Sequence, residues 1–558
     1  MSNPVIESPL EDDKKLGAEH VEFRAQDVET GGGVHRRFNA NHQMDDAAQL
    51  LAQAGGHVDV TEEDRKRVLR KIDLWVCVPM CIVYCIQSLD KGSITYAAVF
   101  NLQADTGLVG AQYSWLSSCG YFAQLVFQST SAYALVVFPV KYWVLFNMVS
   151  WSIVTICTAA AKNFAGLLTA RIFLGVFEAT ILPSFVLITQ MWWTRREQSY
   201  RTIAYQISLS VAGIFGPLMA FGVGEGTSRT NSSILPYQGI FLFLGGVSLA
   251  FAPLIWWMLP NSPTTAKFLR NGNDRLIALE RIRENNTGTK ASTWKWDQFW
   301  EAMRDPKTWM WTAMFTAVAC PSGGIGTFGG LITKGFGFNS FTTILMQIPT
   351  GVIGIIVLLS SIFITNRIKI RFIVICCLIL PAIGGAIGLI YVPRTNIHGL
   401  MGCYYTLYFY PALQPMLYSW ANLNAAGTTK RVVTTASLFV GQCVGNIVGP
   451  QVYLAKEAPY YHTGLYVDIG CWSTLFLLSA SMGMYLKYLN RKKRDQRIAL
   501  GLPGDLEDMS IMTTEEATAY RTALTERLRQ QGVDEAKLYE QAFDDMTDFE
   551  NPTFMYVI

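Results

Sequence analysis

The strongest constraint in this sequence is a series of twelve apolar stretches, each about twenty residues long, between residues 74 and 490. An α-helix of that length crosses the hydrocarbon core of a bilayer. The composition agrees, because 51% of the residues are hydrophobic and only 16% are charged, which is too apolar for an ordinary soluble domain. The sequence therefore predicts an all-α polytopic membrane protein with twelve transmembrane helices.

The predicted spans fall into two groups of six on either side of a polar loop, a layout typical of two-bundle secondary transporters. We expect six-helix bundles at 71–260 and 308–490, a cytoplasmic central loop at 261–307, and cytoplasmic tails at 1–70 and 491–558. The N-terminal tail is polar and is expected to be mostly disordered. The spans are predicted at 74–94, 113–135, 142–161, 164–190, 199–222, 238–259, 308–332, 341–365, 371–392, 399–421, 432–455 and 465–489.

The loops alternate in their content of basic residues. Every second short loop is rich in Lys and Arg, as at 195–201, 367–371 and 430–431, whereas the intervening loops carry about one basic residue each. The positive-inside rule then places both termini in the cytoplasm of a multi-pass protein, which we expect in the plasma membrane. The glycosylation sequon at Asn231 falls in an outer loop, and the sequence leaves its use open.

Full charges inside the predicted spans are rare. In the first half almost the only ones are Asp90 and Lys91 in span one, and Arg171 and Glu178 in span four. A charge inside a membrane helix costs at least ~2.5–3.5 kcal/mol, so such residues are usually functional. Arg171 and Glu178 are seven residues apart, which puts them on one helix face at a spacing of ~10 Å. Pro183 follows them and can interrupt the helical hydrogen-bond ladder.

These four residues suggest a transport site. Arg171, helped by Lys91, would bind an anionic substrate, since a guanidinium suits a carboxylate. Glu178 and Asp90 would carry a proton, because a carboxylate removed from water can bind and release one in the physiological range. The alternative for span four is a structural ion pair between Arg171 and one carboxylate. The alternative for Asp90 and Lys91 is a position near the outer boundary, where side chains reach the interface.

The second half is predicted to be nearly free of buried charge. Its best candidates for a cavity wall are Gln442 and Asn446, one turn apart, although amides in membrane helices more often form interhelical hydrogen bonds. All eleven cysteines fall in or beside spans, which argues against a disulfide framework. No metal cluster, nucleophile, P-loop or cofactor motif is found, so we expect neither an enzyme nor a cofactor, and no nucleic-acid partner.

Several segments resemble the anion:cation symporter branch of the major facilitator superfamily, and most closely its fungal allantoate permease-like group. They include LDKGSITYAA in span one, ARIFLGVFEATILPSF in span four, GNIVGPQVYLAKEAPYYHTG around span eleven and the terminal DMTDFENPTFMYVI. The resemblance implies a functional monomer with rocker-switch alternating access and proton-coupled import of small organic anions. It also implies that Asp90, Lys91, Arg171 and Glu178 serve substrate binding and proton coupling.

The sequence departs from the family in two ways, one of which affects substrate binding and the other gating. Lys91 stands where the wider family often has Arg, and lysine lacks the two-pronged geometry for a carboxylate. The charged loop usual between spans two and three is also missing, and only Pro139 and Lys141 remain. We expect gating to depend instead on residues in and after span four, namely Pro183, Arg195, Glu197 and Arg201.

The sequence therefore predicts a secondary active transporter that imports a small carboxylate-bearing compound, vitamin-like or allantoate-like, with protons. Two alternatives stay open. The same scaffold can export an acidic metabolite, since direction follows the gradients. A protein of this fold can also act as a nutrient sensor, in which ligand binding produces a cellular response without transport.

Overall fold

The computed structural model describes residues 61–229, 234–269, 273–283, 294–500, 504 and 545–558. Within these ranges the regular structure is helical throughout, with no β-strand. In this described part of the chain, ten helices are long and apolar enough to cross a membrane, and they coincide with ten of the twelve predicted spans. The sequon at Asn231, residues 1–60 and most of the C-terminal tail lie outside the described residues.

We number the helices that cover the twelve predicted spans α1 to α12. The N-terminal bundle contains α1 (Val78–Val99), α2 (Gln112–Val137), α3 (Val140–Thr158), α4 (Phe164–Glu178 and Ile181–Trp192), α5 (Arg195–Arg229) and α6 (Pro236–Met258). The C-terminal bundle contains α7 (Pro306–Lys334), α8 (Ile348–Ile368), α9 (Arg371–Tyr391), α10 (Ile397–Leu407 and Leu413–Leu423), α11 (Thr428–Gln451) and α12 (His462–Ala499). Shorter helices include Glu62–Ile72, Asp274–Arg283, Trp296–Arg304 and Ser340–Leu345.

Two helices are interrupted, and proline explains both breaks. The first part of α4 ends at Glu178, because Pro183 has no N–H to donate to the carbonyl of Ala179. The first part of α10 ends at Leu407, whose carbonyl would need the missing N–H of Pro411. The break in α4 places Glu178 at the last position of its helix, beside irregular backbone.

Each bundle is held by extensive packing between its own helices, most of all between α7 and α11 in the C-terminal bundle. In the N-terminal bundle the main pairs are α3 with α6, α2 with α4 and α1 with α5. The bundles meet through α1 with α7, α2 with α11 and α5 with α8. These three helix pairs form most of the contact between the two bundles.

We call the end of the molecule that carries Glu62–Ile72, Trp296–Arg304 and residues 545–558 the tail end, and the opposite end the far end. At the far end the bundles are bonded together. Lys334 of α7 donates to the carbonyl of Val99 at 2.8 Å and to Oδ1 of Asn101 at 2.9 Å. Ser340 also donates to Val99, and Tyr113 of α2 donates to Thr327 of α7 at 3.0 Å.

The contact between α2 and α4 leaves no space for a side chain at Gly175. A Cβ there would lie 2.3 Å from the carbonyl oxygen of Gly120, and backbone cannot move aside as a side chain can. We expect Gly175→Ala to destabilise the purified protein by about 1–3 kcal/mol, seen as a lower thermal unfolding midpoint. Gly246→Ala is the matched control, because nothing lies within 4 Å of its added Cβ. Equal midpoints for the two variants would contradict the tight contact.

Candidate functional site

A large cavity of ≈ 3580 Å³ lies between the two bundles. Its wall includes residues from the loops and helix ends at the tail end, such as Pro139, Asn261, Thr264 and Arg367. Of the described far-end loops, only the turn between the helix Ser340–Leu345 and α8 contributes to the wall, through Gln347. Together with the bonded far end, this geometry gives a cavity that opens at the tail end and is closed at the other.

The side chains that line this cavity are strongly biased towards positive charge. Among the described lining residues only Glu178 is acidic, whereas six are basic. Several cationic side chains around a low-dielectric cleft raise the local concentration of anions. The cavity is therefore suited to a negatively charged solute. The basic lining residues are Lys91, Arg171, Arg367, Lys369, Arg371 and Arg431.

Arg171 lies deep in the wall and is only 8% exposed. Its guanidinium donates to Oγ of Ser93 at 3.2 Å, and Ser93 in turn donates to the carbonyl of Asp90 at 2.6 Å. The guanidinium carbon also lies 5.9 Å from the ring centre of Phe241. No described acidic side chain lies within 4.0 Å of it. Arg171 thus presents a buried cation that neutral groups hold in place and that can accept an anionic ligand.

The ion pair of this site joins Lys91 and Glu178. Nζ of Lys91 lies 3.4 Å from Oε2 of Glu178, and Gln124 donates to the same oxygen at 3.3 Å. Oε1 of Glu178 has no hydrogen-bond partner among the described residues. The alternative of a structural pair between Arg171 and a carboxylate is therefore wrong for this structure, because Glu178 pairs with the lysine of α1 instead.

Asp90 is placed differently from its neighbour Lys91. Its side chain is fully buried and does not line the cavity. Oδ2 accepts a hydrogen bond of 2.8 Å from Ser248 of α6, so the carboxylate lies in the core of the N-terminal bundle. The alternative that Asp90 reaches the membrane interface is wrong, because its side chain is fully buried and Oδ2 is bonded to Ser248 inside the bundle.

The amide candidates of α11 are Gln442 and Asn446, and both line the cavity. Nδ2 of Asn446 donates to the carbonyl of Gln442 at 2.8 Å, and Asn446 is closely packed against Gly323 of α7. Asn446 therefore has an amide that is partly used within its helix, while Gln442 is half-buried in the wall.

The residues expected to act in gating lie near the tail end of the N-terminal bundle. Pro183 lines the cavity. Arg201 donates twice to the carboxylate of Asp73, at 2.6 and 3.0 Å, and Glu197 accepts from Arg281 at 2.8 Å. Arg195 begins α5, and its side chain lies outside the described part of the structure. The two ion pairs join α5 to the segment that precedes α1 and to the helix Asp274–Arg283.

The expectation that the second half lacks buried charge is wrong. Asp468 of α12 is fully buried, with Tyr453 donating to Oδ2 at 2.6 Å. Lys307 and Lys430, at the starts of α7 and α11, are 2% and 1% exposed. Asp468 could have been found from the sequence, since it lies inside the predicted span 465–489. The burial of the two lysines could not, because a distant part of the chain covers them.

Comparisons with known proteins agree with this architecture. The profile of the Major Facilitator Superfamily matches residues 80–450. An uncharacterized transporter of Schizosaccharomyces pombe is 33% identical over 474 residues, which are 84% of this chain and 88% of that protein. The allantoate permease of Saccharomyces cerevisiae is 26% identical over 534 residues, which are 92% of this chain and 90% of the permease.

A solved structure shows the same fold at lower similarity. The crystal structure of a bacterial homologue of the human lysosomal transporter Spinster, in an inward-facing and occupied conformation, aligns with a TM-score of 0.55 and 14% identity. The alignment covers 73% of this chain and 95% of the bacterial one. The profile match and the relatives confirm the family resemblance seen in the sequence. This chain is a membrane transporter of the major facilitator superfamily, with fungal allantoate permease-like transporters among its relatives.

Proposed function

We propose that this transporter imports a small organic anion together with protons across the plasma membrane, as a monomer with both termini in the cytoplasm. The observation that carries the proposal is the lining of the cavity, with six basic side chains and one acidic one. Under this orientation the tail end is cytoplasmic, and the structure corresponds to a state open to the inside. The basic loops at the tail end support the orientation.

Arg171 supplies the main anion contact. It is a fixed, buried guanidinium on the cavity wall without a described acidic partner. A guanidinium offers two parallel N–H donors to one carboxylate, which fixes the orientation of the substrate as well as its charge. Gln442 and Asn446 face it from the C-terminal bundle and can contact the rest of the substrate.

The pair of Lys91 and Glu178 supplies a route to proton coupling. While Glu178 is ionised, it neutralises the ammonium of Lys91 at 3.4 Å. When Glu178 binds a proton, Lys91 loses that counter-charge and becomes available to the anion. Proton and anion then favour each other's binding, which is the thermodynamic requirement for symport. Asp90, buried behind the pair, is a second candidate to hold a proton.

The substrate class follows from charge and from one relative. A single carboxylate matches the Arg171 site, and the relative in Saccharomyces cerevisiae is named an allantoate permease. We therefore propose allantoate-like carboxylates as the first candidates, and the family resemblance adds vitamin-like acids such as ureidosuccinate, nicotinate, pantothenate and biotin.

The test is uptake of labelled carboxylates into transporter-deficient fungal cells that express the chain, at acidic and at neutral external pH, with and without a protonophore. We expect uptake that is faster in acid and is abolished by the protonophore. Uptake that is insensitive to both would contradict proton coupling. Efflux from preloaded cells without uptake would favour an exporter, and a ligand-dependent response without any flux would favour a sensor.

A further inference from the structure

Residues 545–558, which we call the strap, lie across the tail end of the C-terminal bundle. The strap is bound along its whole length, and the contacts come from the short helix Trp296–Arg304, α9, α10, α11 and α12. They are Gln298 to Asp545 O at 2.8 Å, Thr428 N to Asp545 Oδ1 at 2.7 Å, Lys493 to Asn551 O at 2.7 Å, Asn490 to Tyr556 O at 2.8 Å, Trp420 to Val557 O at 2.7 Å and Arg371 N to Ile558 O at 2.8 Å.

One carboxylate anchors the strap. Asp548 is fully buried and forms ion pairs with Lys307 of α7 and with Lys430 of α11, the latter at 2.7 Å. The hydroxyl of Tyr556 donates to the same carboxylate at 2.9 Å. Burial opposes ionisation of Asp548, but the two ammonium groups outweigh that penalty and hold the pKa of its carboxyl group below the ordinary value.

Asp548 also stabilises the C-terminal bundle, because it compensates the charge of two buried lysines. The two lysines also contact Asp305, at 3.4 and 3.0 Å, and Lys430 contacts Glu301 at 2.8 Å. Two buried ammonium groups need compensating charge, and removing one partner of a buried pair is strongly destabilising. The strap supplies a fully buried part of that charge, so it belongs to the folded bundle and moves with it.

The other face of the strap lines the mouth of the cavity. Asn551, Thr553, Phe554 and Met555 line the cavity, together with Val557. The wall on the side of the N-terminal bundle is formed at this end by Phe138–Val140, Tyr200 and Asn261–Thr264. These two surfaces are the parts of the opposing bundles that border the opening.

We propose that residues 551–555 form the half of the tail-end gate that belongs to the C-terminal bundle, and that Asp548 is a positioning residue that holds this half in place. Alternating access requires the tail end to close when the far end opens. The strap surface then meets the residues of the N-terminal bundle that border the mouth. This inference rests on the alternating-access part of the proposed function and is independent of the substrate and of proton coupling.

The test needs no substrate. A cysteine is introduced by Met555→Cys, and its rate of reaction with a membrane-impermeant maleimide is measured in nanodiscs, where both ends are accessible. The far end is then loosened by Lys334→Met with Ser340→Ala, which removes three hydrogen bonds between the bundles. We expect the population to shift to the state closed at the tail end, and the reaction of the cysteine to slow by about tenfold.

Two controls define the background of this measurement. Reaction of the native cysteines is measured in the chain without Met555→Cys and is subtracted. A cysteine introduced by Lys492→Cys, exposed on α12 away from the mouth, should react at the same rate with and without the far-end substitutions. Equal rates for the cysteine at position 555 in the two backgrounds would overturn the proposal that the strap forms part of the gate.

The role of Asp548 is tested by adding Asp548→Asn to the loosened variant. We expect protection of the cysteine at position 555 to be lost, whereas the matched change Glu550→Gln should keep it, because among the described residues the Glu550 side chain accepts only a local bond from Thr547. If Asp548→Asn does not fold, Asn490→Ala loosens the strap without altering a charge. Protection that persists in a folded Asp548→Asn or Asn490→Ala variant would overturn the positioning role. Absence of transport in the uptake assay would leave these results unaffected.

Discussion

Replacing Arg171 with alanine is expected to reduce uptake of the organic anion by about 30-fold or more, which corresponds to ~2 kcal/mol or more of lost interaction. The reason is that Arg171 is a buried cation of the cavity wall that forms no ion pair within 4.0 Å among the described residues, so its guanidinium can bind the substrate anion directly. The measurement is the initial rate of uptake over a range of substrate concentrations, at equal surface expression. Because the lost contact binds the substrate, we expect KM to rise.

Two variants give this prediction its controls. Arg171→Lys keeps the charge and removes the planar fork, so intermediate uptake is expected if bidentate binding matters. Arg229→Ala removes an exposed arginine from the end of α5, where it pairs with Glu225, and should change uptake by less than about twofold. Wild-type KM in a well-folded Arg171→Ala protein would rule out Arg171 as the anion contact.

Replacing Glu178 with glutamine is expected to abolish the dependence of uptake on external pH and to reduce net uptake by about tenfold or more, ~1.4 kcal/mol. Glutamine has nearly the same shape but cannot bind and release the coupled proton, and it leaves Lys91 without its counter-charge. Exchange of internal for external anion requires no net proton movement, so we expect exchange to persist in this variant. The measurement is net uptake and exchange, each at acidic and neutral external pH.

The partner residue supplies the control for this second prediction. In Lys91→Met with Glu178→Gln no charge remains in the pair, so we expect the protein to be stable while uptake stays independent of pH. Glu225→Gln makes the same chemical change at the surface end of α5 and should keep the pH dependence. If acidic external pH still stimulates uptake by Glu178→Gln, Glu178 does not carry the coupled proton. Another carboxylate then does, and Asp90 is the first candidate.

Much of the fold could be predicted from the sequence because a bilayer restricts what a spanning segment can be. Apolar runs of fixed length, separated by polar loops, are sufficient to locate helices when all backbone hydrogen bonds must be made within the segment. Helical structure covers the span predicted at 399–421, but its division into two helices depends on Pro411 and on packing around it. The length of α12, which continues to Ala499, likewise exceeds the apolar run at 465–489.

In the candidate site, the residues could be predicted from the sequence but their pairing could not. Rarity of charge in an apolar segment was enough to identify Arg171, Glu178, Lys91 and Asp90, because an unneeded charge is costly there. Which of them pair could not be predicted, since helical periodicity fixes a face but not its neighbour. Lys91 and Asp90 are adjacent in sequence yet lie in different environments, one on the cavity wall with Glu178 and the other against Ser248.

The sequence by itself determined the class of the molecule, its helices and the small set of membrane charges, because hydrophobic length and the cost of burying charge act locally along the chain. Only the tertiary structure decided the charge of the cavity lining, the pairing of Lys91 with Glu178, and the burial of Lys307 and Lys430 beneath Asp548. Asp548 follows Lys307 by 241 positions in the chain. Contacts over such separations depend on how whole helices pack, and no local pattern of residues encodes them.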